Sequence, residues 1–109
     1  MSGIVSKLIS NAERCRDQII MRSPLTGIAA TLAQCLKLQE EAGELAEAVL
    51  GTLGQNPRKG FSHTHDDVMK EIIDVILTAT VLAVSIETAE TFSTRLDERL
   101  DFLTARAER

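Results

Sequence analysis

The sequence predicts an all-α fold, a helical bundle of about four helices formed by a single domain over residues 1–109. Three observations carry that expectation. Apolar residues recur at helical spacing over long stretches. Breakers are scarce, with 6 Gly and 2 Pro in the chain, and they gather at a few points. The stretch from Val68 to Ile86 is apolar on nearly all sides, as the central helix of a bundle is.

The first helix is expected from about Ile4 to Met21, with Ile4, Leu8, Ala12 and Ile19 forming a partial stripe. Pro24 ends it, because proline lacks an amide donor and biases Ser23 away from helical angles. The second helix starts between Thr26 and Ala30 and runs to about Leu53. At 100° per residue, Leu38, Ala42, Leu45, Ala46, Val49 and Leu53 fall on one side, the expected core stripe. The segment GQNPRKGFSHTHDD then breaks the pattern and is the one substantial loop. The third helix opens near Thr64, where Asp67 three residues on makes a loose capping box and Asp66 suits a helix N-terminus. It is expected to be the most buried helix. A fourth runs from about Thr88 to Ala107, with Phe92, Leu96, Leu100 and Leu103 on one face and Phe102 also toward the core.

Composition excludes several functions. Net charge is −4 and the only aromatics are three Phe, so neither an electrostatic footprint nor a stacking platform for nucleic acid is present. The longest apolar run, Ile72 to Ile86, is too short to span a membrane and contains Asp74. The N-terminal MSGIVSKLISNAER mixes charged and apolar residues and does not read as a signal peptide. Cys15 and Cys35 match no metal or redox spacing and are expected as buried thiols. A soluble, cytoplasmic protein is the expectation.

What a bland bundle does not explain is the placement of carboxylates. The second helix holds Glu40, Glu41, Glu44 and Glu47 within barely two turns, where like charges three or four apart repel. Glu40 and Glu47 point away from the stripe and are expected in water. Glu41 and Glu44 sit about 60° apart on its flank, where a neighbouring helix approaches. Glu71 and Asp74 share that three-residue spacing and interrupt VMKEIIDVILTATVLAV. Lys70 is adjacent to Glu71 and is not expected to face it; no basic partner is expected within a turn of Asp74. An ionised carboxylate among Val and Ile is costly unless it is paired, hydrogen-bonded or metal-bound. If the second and third helices pack antiparallel, Glu41, Glu44, Glu71 and Asp74 meet in one cluster. Four oxygen donors without His or Cys suit a hard cation, Mg²⁺ or Mn²⁺, more than zinc. The alternative is that both pairs are simply solvated faces.

EEAGE at Glu40–Glu44, followed after 26 residues by EIID at Glu71–Asp74, resembles the EExxE…ExxD signature of the MazG-like all-α nucleoside triphosphate pyrophosphohydrolases. The resemblance extends over KLQEEAGELAEAV and EIIDVILTATVLA, from Leu32 to Ala83. It implies a Mg²⁺-dependent enzyme that hydrolyses a (deoxy)nucleoside triphosphate to the monophosphate and pyrophosphate, in nucleotide house-cleaning. Carried over, the metal ligands are Glu41, Glu44, Glu71 and Asp74, with Glu40 an outer residue or one that orients water.

Secondary candidates surround this set. Lys37, one turn before Glu41, and the loop residues Arg58 and Lys59 are candidates for phosphate contact, Arg58 the better because guanidinium binds phosphate bidentately. The loop lacks the GxxxxGK[ST] pattern of a Walker-type loop. His63 and His65 read as a polar helix start rather than ligands, and Asp67 as a possible neighbour of Glu71. Phe61 is the remaining candidate for a base contact. Extra apolar surface on so few helices points to a homodimer or homotetramer. Two other readings stand beside the enzyme: a non-catalytic helical interaction module with this fold, and a di-iron carboxylate bundle, disfavoured because its Glu-x-x-His pairs are missing.

Overall fold

A computed structural model describes residues 3–108. Four helices follow in order: α1 (Gly3–Arg22), α2 (Gly27–Thr52), α3 (His65–Ile86) and α4 (Ala89–Ala107). No strand occurs among the described residues; the loop between α2 and α3 holds one isolated bridge, Asn56 to Gly60. The all-α bundle is therefore what forms, with helix ends within a residue or two of those the sequence predicts.

Local chemistry sets those ends. The break between α1 and α2 contains Pro24, and Gly27 takes a φ of 57° that a side chain would resist. At α3 the capping box is complete: the Asp67 amide donates to the Thr64 hydroxyl at 3.2 Å, and the Thr64 amide donates to the Asp67 carboxylate at 2.8 Å. These backbone and side-chain donors of Thr64 hold the Asp67 carboxyl below its usual range. At α4 the Thr88 hydroxyl accepts the Thr91 amide.

Packing centres on α3. α2 lies along it as an antiparallel hairpin, and α1 packs on its C-terminal half, where Ile9 and Ala12 meet Val81 and Val84 to form the buried core. The Arg16 guanidinium donates to the Val84 carbonyl at 3.1 Å, satisfying an acceptor near the end of α3. α4 touches α3 lightly and buries none of its residues, although Phe92 leans on the core. No single described helix is long and apolar enough to cross a membrane; α3 and α4 pass that test only as a pair bent by 120°.

Several expectations are corrected. The side of α2 that α3 covers is Gln34, Leu38, Glu41, Leu45 and Ala48, rotated from the expected stripe so that Ala42, Ala46, Val49 and Leu53 are exposed. α2 has more apolar surface than one neighbour can cover, and the expected stripe straddles two apolar sides. α3 is central but not buried all round, since Met69, Ile73 and Ile76 face outward where no helix of this chain lies. Cys15 is half-buried and Cys35 exposed, because Cys35 lies on the uncovered side of α2. Phe102 is exposed, its ring flanked by the Arg99 and Arg106 guanidinium groups at 5.0 and 5.8 Å, an amphipathic arrangement that needs no core.

Two substitutions check this account. Thr64→Ala removes the α3 cap and is expected to cost about 1 kcal/mol in denaturant unfolding. Ile9→Ala opens the small core between α1 and α3 and is expected to cost about 2 kcal/mol or more.

Candidate metal centre

The hairpin brings three carboxylates together. Ligand oxygens of Glu41, Glu44 and Glu71 all lie within 4.8 Å of one another. Glu41 is on the side of α2 that faces α3, Glu44 is one turn on toward solvent, and Glu71 reaches across from α3. The side chains of Glu41 and Glu71 are only 14% and 18% exposed. Burial of that degree makes their charges matter, because less water is left to screen them.

Three features of the cluster bear on what it can hold. The Glu71 Oε2 atom is buried and has no hydrogen-bond partner, an acceptor left over once the helices have packed. The Glu44 carboxyl is raised above its usual range, first by the Glu41 charge, then by lost hydration, a hydrogen bond with Glu41 and the charges of Glu71 and Glu40. The donors are all carboxylate oxygens, the set a hard divalent cation takes. An orphan acceptor, mutual repulsion and an all-oxygen donor set are what a Mg²⁺ or Mn²⁺ ion would relieve, so the residues fit such a group.

Lysines rim the cluster without neutralising it. Lys37 Nζ is 2.9 Å from Glu40 and 3.7 Å from Glu41. Lys70 Nζ is 3.1 Å from Asp74 and 3.7 Å from Glu71. Each ammonium is thus nearer a carboxylate outside the trio than the one inside it. Both lysines have raised pKa values, owing first to their hydrogen bonds with Glu40 and Asp74 respectively.

The expectation for Asp74 changes accordingly. It is 37% exposed and carries a basic partner, Lys70, four residues earlier on the same face. The sequence holds that i,i+4 pair, so the expectation that Asp74 has no basic partner within a turn is corrected. Lys70 also comes within 3.7 Å of Glu71, because a four-carbon stem reaches past the limits of simple helix geometry. The structure therefore gathers three of the four expected ligands and holds the fourth on a surface lysine.

The remaining candidates lie apart from the trio. Glu40 is exposed on Lys37, and Glu47 is exposed with Lys59 Nζ at 3.3 Å, so Lys59 is turned to the end of α2. Arg58 is exposed in the loop. Phe61 lies over Gly54, where a Cβ would meet the ring at 2.7 Å, ten residues beyond Glu44 and roughly 15 Å along the helix axis. His63 Nδ1 pairs with the Ser62 hydroxyl at 2.8 Å, and His65 opens α3. Asp67 is engaged in the α3 cap and does not support Glu71. Gln34, a residue the sequence did not single out, is buried on the same side of α2 as Glu41, seven positions earlier.

Repulsion at Glu44 has a measurable sign. With its folded pKa raised, the folded state holds more protons than the unfolded one between the two values. Stability of the metal-free protein therefore falls as pH rises through that window and is regained on acidification. Glu44→Gln is expected to raise the thermal midpoint in EDTA at neutral pH and to flatten this dependence, read by circular dichroism from pH 4 to 8.

No family model, no curated protein and no solved structure matches this chain.

Proposed function

We propose that the chain is a Mg²⁺-dependent nucleoside triphosphate pyrophosphohydrolase, cleaving (d)NTP to (d)NMP and pyrophosphate in the cytoplasm as part of nucleotide-pool house-cleaning. The observation that carries the reading is the convergence of Glu41, Glu44 and Glu71 around an unpartnered, buried Glu71 oxygen. The likeness of EEAGE and EIID to the MazG-like signature supplies the reaction class. In this reading Glu41, Glu44 and Glu71 hold the metal, and Asp74 joins them by giving up its exposed pair with Lys70.

Bound Mg²⁺ would neutralise triphosphate oxygens and polarise the phosphoanhydride toward attack by water. The chain's own residues have distinct tasks. The clustered carboxylates repel a bare triphosphate, so nucleotide enters with its counter-cation rather than alone. Lys37 and Lys70 at the rim offer ammonium groups to phosphate oxygens without leaving their helices. Glu40, exposed one residue before the first ligand, has an outer role in this reading and acts on the site only through Lys37, which it holds at 2.9 Å. Arg58 approaches phosphate only if the loop moves, since nothing anchors it near the trio.

The lysine pairs also favour a second reading, a non-catalytic helical module in which Lys37 and Lys70 balance the carboxylates as a structural feature. One set of measurements separates the two. Pyrophosphate release is followed over a panel of deoxy- and ribonucleoside triphosphates with Mg²⁺ or Mn²⁺. The enzyme reading expects turnover that EDTA abolishes and that Glu44→Gln and Asp74→Asn each lower by about 100-fold or more, as loss of a ligand does. It also expects Mg²⁺ at about 100 times its Kd to stabilise the fold by ~2.7 kcal/mol. Absence of product with every nucleotide, together with indifference of the melting curve to Mg²⁺, establishes the module instead.

A further inference from the structure

Gln34 is a polar residue in a place that packing alone would give to an apolar one. It is only 9% exposed and lies on the side of α2 that α3 covers, in line with Leu38, Leu45 and Ala48. Its side-chain amide has no hydrogen-bond partner among the described residues. Buried amides nearly always have one, because a stranded polar group costs stability. Nor is this amide sealed off: among the described residues only Glu71 Oε2 is both cut off from solvent and unbonded. A leucine at this position, as at Leu38 and Leu45, would fill the space without stranding anything. Gln34 therefore holds an unused donor and an unused acceptor at the edge of water.

Its place relative to the carboxylates follows from helix geometry. The approach of Glu41 to Glu71 sets the register of the antiparallel hairpin, and the Ser62 amide, donating to the Gly51 carbonyl at 3.1 Å, keeps that register at the loop end. Gln34 precedes Glu41 by seven residues, and Thr78 follows Glu71 by seven. Seven residues make nearly two full turns. Gln34 thus stays on the Glu41 side of α2, Thr78 stays on the Glu71 side of α3, and the two stand level, about 10 Å along the hairpin from the trio. Thr78 is half-buried and likewise has no hydrogen-bond partner among the described residues. Thr31, Thr80 and Thr94, by contrast, each donate to the carbonyl four residues earlier. Two unused polar groups therefore share one level of the hairpin, with the carboxylates at the next.

A ligand whose phosphates sit at the trio with their cation carries its other end to this level. A largely desolvated amide favours a group that offers it an acceptor and a donor side by side, and penalises one that leaves either unpaired. Amino- and oxo-substituted nucleobases present such an edge, and glutamine meets it with two hydrogen bonds. Inorganic polyphosphate has nothing to place there. The separation of the two levels is comparable to the span from the phosphates of an extended nucleotide to the edge of its base.

We propose that Gln34 is the residue that reads the nucleobase, hydrogen-bonding its edge while the trio holds the cation; the inference rests on the pyrophosphohydrolase reading of the trio. Calorimetric titration in Mg²⁺ tests it without requiring turnover. The probes are inorganic tripolyphosphate and a panel of α,β-methylene ribo- and deoxyribonucleoside triphosphates, which cannot be cleaved at that bond. The native chain is expected to bind at least one nucleotide about 10-fold or more tighter than tripolyphosphate. Gln34→Leu and Gln34→Met, which keep the bulk and remove the amide, are each expected to abolish that advantage and to leave tripolyphosphate affinity unchanged. Neither is expected to lower the thermal midpoint, since an unbonded amide contributes no hydrogen bond to the fold. Failure of tripolyphosphate to bind the native chain sinks the reading of the trio and this inference with it. Tripolyphosphate binding with no nucleotide tighter, or a nucleotide advantage that survives both variants, overturns the role of Gln34 alone. A lowered midpoint with equal loss of both probes assigns Gln34 to the fold and overturns it as well.

Discussion

The contact between α2 and α3 sets conflicting demands on the same few side chains. It buries Ala48 and half-buries Leu38 and Leu45 of α2, supplying much of the apolar area that holds the hairpin together. The same side of α2 carries Glu41, so closing the hairpin also drives Glu41 and Glu44 toward Glu71. Apolar burial wins, since each buried aliphatic side chain is worth about 1.5 to 3 kcal/mol whereas half-solvated like charges repel far less. The unfavourable part remains visible in the raised Glu44 pKa and the orphaned Glu71 oxygen. A fold that needed only stability would place neutral residues at these positions. That unrelieved repulsion is why the carboxylates rather than the loop cations anchor the functional proposal.

Much of this was legible from the chain because the signals were local. Pro24 and the Thr64–Asp67 spacing act through their own backbone, so helix ends could be read without knowing the neighbours. The three-residue spacing of Glu41 with Glu44, and the position of Glu71 in an apolar helix, survive any reasonable packing of an antiparallel pair. What failed was whatever depends on partners. The angular phase of α2 was misjudged because its apolar residues form two sides, and their average direction falls between them at Ala42 and Val49. Periodicity gives the direction of total apolarity, not of the neighbour that happens to be present. Lys70 has two partners of different legibility: its pair with Asp74 is ordinary i,i+4 geometry written in the sequence, whereas its approach to the adjacent Glu71 depends on a stem that carries the charge several ångströms past the Cβ.

α4 shows the same limit from the other end. Its stripe is regular, yet none of its residues is buried and Leu100 is half exposed. A regular stripe gives the apolar direction and not the degree of cover: Phe92, Leu96 and Leu103 are half-buried while Leu100 between them is exposed. Phe102, between two arginines, shows how an aromatic at an apparently apolar position can be accommodated at a surface by cationic neighbours.

The sides of α2 differ in what they carry. Lys37, Glu40, Glu44 and Glu47 occupy one sector, the α3-facing residues together with Glu41 a second, and a charge-free apolar side a third. Neighbouring residues therefore have different surroundings: a Cβ at Gly43 would meet nothing, while Glu44, one peptide on, belongs to the carboxylate trio. Because successive side chains diverge by 100°, a change on the exposed apolar side leaves the carboxylates' outlook intact as long as the helix stays rigid. Rigidity is supplied by length and by α3, which grips α2 along the side between the other two. Four of the five charges of α2 thus crowd into the sector that neither α3 nor the apolar side takes, and the fifth, Glu41, sits at the α3 contact itself, where it meets Glu71.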